Sequence, residues 1–151
     1  MKELGRYREA LLTAWARQPD IVRAAWQAAR NAPEADETLL RLWWWEGQVG
    51  YPNLMALLHG LPPRKVLPPR PKDVAPAEDM LSDYHRWRMA AVDALRRAPL
   101  ATWSTLGRHP RVGRRTVQWW VERSLAEGRR ALHRFERLRR NFNEREDLAR
   151  I

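Results

Sequence analysis

The stretch that most limits what this chain can become is LPPRKVLPPRPKDVAP, residues 61–76, with six prolines and four basic side chains. Each proline lacks an amide donor, fixes its own φ and pushes the preceding residue out of the helical region, so no continuous helix or sheet can cross it. An extended, semi-rigid Pro/Arg-rich linker is therefore expected over 60–77. The fold has to be assembled from the residues on either side, 1–59 as an N-terminal helical region and 78–142 as a second domain, with 143–151 expected as a tail.

Apolar residues three and four apart mark helices in both parts. Before the linker the stripes are Leu11, Leu12 and Trp15, then Ile21, Val22, Ala25, Trp26 and Ala29, then Leu39, Leu40, Trp43 and Trp44. Pro19 and Pro33 punctuate them, which predicts three helices, the second capped by Asp20 and the third carrying Glu34, Asp36 and Glu37 at its positive start. Gly50-Tyr51-Pro52 reads as a turn before a short helix over Asn53 to His59. After the linker, periodicity runs from Met80 to Leu95 until Pro99 stops it, with Glu78, Asp79 and Asp83 early and Arg96 and Arg97 late. A short helix is expected over Thr102 to Arg108 and a long one from about Arg114 to Asn141. No alternating strand pattern is present, so the predicted fold is all-α.

Charge narrows the function. The chain has 28 Lys+Arg against 18 Asp+Glu, a net charge of +10, and 25 of the 28 are arginine. A GC-rich genome would raise arginine by itself, but the flat guanidinium fork also matches phosphate oxygens two at a time. Residues 100–140 hold eleven arginines and three glutamates, a local charge of +8, which leaves +2 for the rest. That concentration is the footprint of phosphate contact, with affinity that falls steeply as salt rises. The competing explanation is a solvated helix with internal pairs such as Glu127 with Arg130 or Arg134.

At 100° per residue from Val117, the side chains of Val121, Ser124, Leu125, Gly128, Ala131, Leu132, Phe135 and Leu138 gather on one line, the expected buried stripe. Arg115, Trp119 and Glu122 fall opposite, with Gln118 and Arg123 nearer the edges. Consecutive Trp43, Trp44 and Trp45 spread over about 200° of a helix, too much for one apolar face. Either one of them is exposed as an anchor for a protein partner or a surrounding bundle buries them on several sides.

With no cysteine, thiol catalysis, disulfides and Cys-ligated metals are excluded. The histidines at 59, 85, 109 and 133 lie far apart, and only His133 with Glu136 has a helical ligand spacing, so surface histidines and no metal site are expected. The glycines form no phosphate-cradling loop and Ser82, Ser104 and Ser124 sit in no nucleophile elbow, so neither a cofactor nor a catalytic residue is expected. No apolar run approaches the ~20 residues that span a bilayer and the start lacks a secretory pattern, so a cytoplasmic protein without a membrane partner is expected.

The segment LATWSTLGRHPRVGRRTVQWWVERSL, residues 100–125, resembles the helix-turn-helix family: Thr102 caps the first helix, Leu106-Gly107 gives an apolar residue and then a small one that permits close helix packing, Val112 lies in the turn and Thr116-Val117 opens the second helix. Pro110, Arg111 and Gly113 stand where Leu, Gly and Ser are usual, and Pro110 requires the first helix to end by His109. A second segment, LRLWWWEGQVGYPNLMALL at 40–58, is similar to the Trp-rich stretch ending in Gly-Tyr-Pro of phage late-gene antiterminators of the Q type, where a helix-turn-helix related to region 4 of sigma factors follows. The resemblance implies a phage-encoded, sequence-specific DNA-binding regulator of transcription in the bacterial host cell, with RNA polymerase and its sigma factor as partners. It places Arg114, Arg115, Gln118 and Trp119 toward DNA and Trp43 to Trp45 in the body of the protein. Together with the charge pattern, the candidate contacts to double-stranded DNA are Arg108, Arg111, Arg114, Arg115, Gln118, Trp119 and Arg123, with Gln118 reading base edges. Alternatives are a small terminase subunit or other homo-oligomeric DNA-packaging protein, its long helix making the subunit contacts, and a helical adaptor or inhibitor whose basic face binds an acidic protein.

Overall fold

A computed structural model describes residues 2–64 and 67–151. Lys65 and Val66, inside the expected linker, lie outside the described residues. The described residues form five α-helices: α1 (Lys2–Ala29), α2 (Ala35–Trp45), α3 (Tyr51–Leu58), α4 (Ala77–Arg97) and α5 (Val117–Ala149). A π-helical turn, Glu46–Gly50, joins α2 to α3, and a 3-10 turn, Leu100–Ser104, leads into an antiparallel hairpin of β1 (Leu106–His109) and β2 (Gly113–Thr116). The all-α class stands, with this hairpin as the one sheet among the described residues.

Helix α1 corrects the expected break at Pro19, because it runs unbroken for 28 residues with that proline inside and buried. A proline in a helix interior leaves the carbonyl four residues earlier without its donor. That carbonyl belongs to Trp15, and the Arg88 Nη1 of α4 donates to it at 2.9 Å. Asp20 accordingly caps nothing; it lies within α1.

The Gly50-Tyr51-Pro52 turn is also corrected. Helical winding continues through it, widened to the π register at 46–50, and Pro52 falls in the first turn of α3, where a missing amide costs little. Gly50 is packed so tightly on the Trp45 ring that a Cβ there would overlap it.

Two apolar clusters form the interior, and each draws on both sides of the proline-rich connection. In one, Val22, Leu39 and Leu40 meet Met80, Tyr84, Phe135 and Leu138. In the other, Leu12, Trp15 and Leu54 meet Val92, Leu95, Trp103, Val121 and Leu125. The described residues of 61–75 form neither helix nor strand, as the prolines require, but they join two parts of a shared core instead of separating two domains.

A buried polar layer lies among these groups. Arg88, fully buried, donates from Nε to Glu46 Oε1 (3.0 Å), from Nη1 to Gln18 Oε1 (2.8 Å) and from Nη2 to the Tyr84 hydroxyl (2.6 Å). The Ser124 hydroxyl bonds the Glu46 carboxylate at 3.0 Å and accepts from Trp15 Nε1 at 2.9 Å. The guanidinium also lies 5.1 Å from the centroid of the Trp15 ring. Burial holds the Tyr84 phenol far above its ordinary pKa, so it stays a neutral hydroxyl there.

In α5 the periodicity holds: Val121, Ser124, Leu125, Gly128, Ala131, Phe135 and Leu138 are buried and Leu132 is half-buried. Burying each such Val, Leu or Phe side chain contributes about 1.5–3 kcal/mol. The helix begins at Val117, continues through the expected tail to Ala149, and spans about 50 Å.

Candidate nucleic-acid interface

The short helix expected over Thr102 to Arg108, and with it the helix pair of a helix-turn-helix, is replaced by the 3-10 turn and the hairpin. Local chemistry accounts for the difference. His109 pairs with Gly113, leaving a three-residue loop, and Gly113 adopts φ +74°, the left-handed conformation such loops place next to the returning strand. Pro110 supplies a fixed φ in the loop, and His109 Nδ1 accepts the Arg111 amide at 3.1 Å, closing it. On the far side, the Val117 amide donates to the Thr105 carbonyl at 3.1 Å. Thr116 then caps α5 by accepting the Trp119 amide, as its position before the apolar stripe implies.

Directly paired residues share a face of a two-stranded ribbon. Gly107 and Arg115 form one pair, Arg108 and Arg114 the next. Gly107 lies so close to Leu57 of α3 that any Cβ would collide, which seats the hairpin on the bundle. Arg108 and Arg114 are both exposed, and Arg111 is exposed in the loop. Arg115 donates from Nε to the Val112 carbonyl at 3.0 Å and lies 5.0 Å above the half-buried Trp119 ring, which meets the buried Trp120 edge-on. Among the described residues none of these four arginines is in an ion pair, whereas Arg123, Arg130 and Arg139 on α5 are paired with Glu127 or Glu136. The hairpin thus gathers four unpaired arginines in eight residues, and α5 adds exposed Arg129, Arg134, Arg137 and Arg140, which are in no ion pair among the described residues either.

The predicted contact residues therefore separate. Arg108, Arg111, Arg114 and Arg115 come together, with Trp119 beneath Arg115. Gln118, the expected base reader, is half-buried and bonded within the protein: its Oε1 accepts from Arg8 Nε at 2.9 Å and its Nε2 donates to Glu122 at 3.3 Å. Arg123 lies two turns along α5, bridged to Glu127 at 2.8 Å. Trp43, Trp44 and Trp45 are all half-buried in the bundle, away from the hairpin, and Trp43 stacks on Trp87 while donating to Asp83 at 3.1 Å.

Two residues were not marked by sequence. Arg8 is buried, and besides Gln118 it bonds the Leu100 carbonyl (3.0 Å) and the Ser104 hydroxyl (2.9 Å), fixing the turn that feeds the hairpin. His109 is corrected from surface to interior: it is buried edge-on to Trp120, and its Nε2 has no hydrogen-bond partner among the described residues. Burial, and then the nearby Arg111 charge, lower its pKa and favour the neutral ring. With Nδ1 accepting from Arg111, the neutral ring carries its proton on Nε2.

No protein-family model matches the chain, and no curated protein is significantly similar to it. Among the described residues no helix is long and apolar enough to cross a membrane.

Proposed function

We propose that this chain binds double-stranded DNA as a non-enzymatic regulator, with the arginine hairpin as its contact element. The observation that carries the reading is the register: Arg108 stands directly opposite Arg114, both exposed and neither paired with a carboxylate among the described residues. Like charges facing each other across a ribbon destabilise it, and a phosphate between them turns that repulsion into two charge-assisted hydrogen bonds. A two-stranded ribbon also fits the major groove, which is ~12 Å wide. Arg111 at the loop and Arg115, stiffened over Trp119, extend the same cationic edge. The transcriptional role, with RNA polymerase as partner, rests on the resemblance of residues 40–58 and is tested by co-purification from a nuclease-treated lysate.

Binding to duplex DNA, followed by anisotropy across a salt series, tests the contact. Four phosphate-neutralising arginines give a log–log salt slope of about −3 to −4. Arg108→Ala and Arg114→Ala should each lower its magnitude by about one, and Arg123→Ala should leave it unchanged. Equal slopes for all three variants would refute the site.

A further inference from the structure

From Asn143 onward α5 leaves the bundle: every residue there is exposed, and the helix still continues to Ala149. This extension presents aliphatic groups to water, Leu148 at 70% exposure and Ile151 fully open. One flank of α5 carries Arg130, Arg134, Arg137, Asn141, Glu144 and Leu148, alternately four and three residues apart. At 100° per residue they lie within about 40° of one line. Those intervals are the a and d positions of a coiled coil, the seam along which one helix meets another. The first half of the seam lines a cleft of about 510 Å³ between α2 and α5. Its wall holds four arginines and three glutamates, of which Arg41 is paired with Glu37 (3.2 Å) and Arg130 with Glu127 (3.6 Å). Arg134, Arg137 and Glu34 in the cleft, and Glu144 farther along the seam, are in no ion pair among the described residues.

We propose that this seam docks on a second copy of the chain, with the two α5 helices antiparallel. The seam is basic over 130–137 and carries its acid and its aliphatic group over 144–148, so it complements itself only when reversed. Arg134 then stands opposite the partner's Glu144, Arg137 opposite the partner's Asn141, and Arg130 opposite the partner's Leu148. Two-fold symmetry makes each contact twice. Arg130 lays its aliphatic stem over the leucine and keeps its charge in water. Asn141, close to the axis, is the kind of polar seam residue that fixes register. A parallel pair would instead set Arg134 against Arg134 and Glu144 against Glu144, like charges that repel. Nucleic acid suits this surface less well. With three carboxylates in its wall the cleft has a net charge of only +1, and a phosphate strand offers no cover for Leu148.

Sedimentation velocity of the full chain, without nucleic acid, from about 1 to 100 μM should show a monomer–dimer equilibrium that weakens as salt rises. Arg134→Glu and Glu144→Arg each set like charges opposite one another, and each should raise the dimer dissociation constant about tenfold or more. Both positions are exposed, so dilute samples of the variants should melt as the dilute wild type does. Mixing the two variants puts opposite charges back at both contacts, and a heterodimer of near wild-type affinity should form. Neither a folding defect nor an unrelated interface gives that rescue. A wild type that stays monomeric throughout, a dimer indifferent to both charge reversals, or variants that fail to pair when mixed overturns the docking.

Discussion

The Arg88 guanidinium donates to the Trp15 carbonyl oxygen at 2.9 Å, replacing the amide donor that Pro19 cannot supply. A residue 73 positions away in sequence thus repairs a break that local propensity would have made final. The same guanidinium pairs with Glu46 at 3.0 Å, with both side chains almost wholly out of solvent. The tie is therefore electrostatic as well as structural.

Replacing Arg88 by Met should cost about 3–5 kcal/mol, because Glu46 is left as an uncompensated buried charge. Pro19→Ala restores the helical donor and so removes one of the tasks of Arg88. A double-mutant cycle by urea denaturation should therefore show coupling of about 0.5–3 kcal/mol between positions 19 and 88, the Arg88 loss being smaller in the alanine background. Strict additivity would show that the Trp15 carbonyl is not the link.

Gly128 offers a test whose sign is decisive. At a compatible site Gly→Ala stabilises by about 0.4–1 kcal/mol through the unfolded chain. Here a Cβ would fall inside the Gln18 amide, which donates to the Leu125 carbonyl (3.0 Å) and accepts from Arg88. Gly128→Ala should instead destabilise by about 1–3 kcal/mol in equilibrium unfolding.

How far these features could be read in the residues depends on where their partners lie. The α5 stripe was legible because a helix face repeats within one stretch of chain, and the paired Glu78/Asp79 start and Arg96/Arg97 end of α4 for the same reason. Pro19 was misleading because its compensation comes from another helix. The hairpin was hidden for a different cause: its burial runs against hydropathy, with Leu106 exposed and His109 buried, and its strands are only four residues each. The charge on residues 100–140 was visible, but not which of its α5 arginines pair, which depends on whether Glu127 or Glu136 lies within reach.

The loop should be sensitive to acid. His109 has its pKa lowered by burial and by Arg111, so the fold favours the neutral ring. Its contribution is complete above the unfolded value of about 6.5 and is lost as pH falls through the lower folded value. Protonation also puts a hydrogen on Nδ1, where the Arg111 amide now donates. Melting curves between about pH 8 and pH 5 should fall more steeply for the wild type than for His109→Phe, with exchange of the Arg111 amide accelerating first. Parallel profiles would remove the ring from the account.

Arg8 should act on the hairpin without touching a ligand. Arg8→Met keeps the aliphatic stem but loses the bonds to Gln118, Leu100 and Ser104, at a cost of about 1.5–3 kcal/mol. Hydrogen exchange over residues 106–116 should speed up more than in α4. DNA affinity should drop while the salt slope stays unchanged, because the four hairpin arginines remain.

The way Val22 and Leu39 close on Met80 and Phe135, while Leu12 and Leu54 close on Val92 and Val121, bears on how the polypeptide survives damage. A protease that nicks it among the prolines severs a strap and leaves the interior intact, so the two fragments remain clasped in one particle. Made separately, neither fragment would own a closed interior, and each would take its shape only by complementing the other.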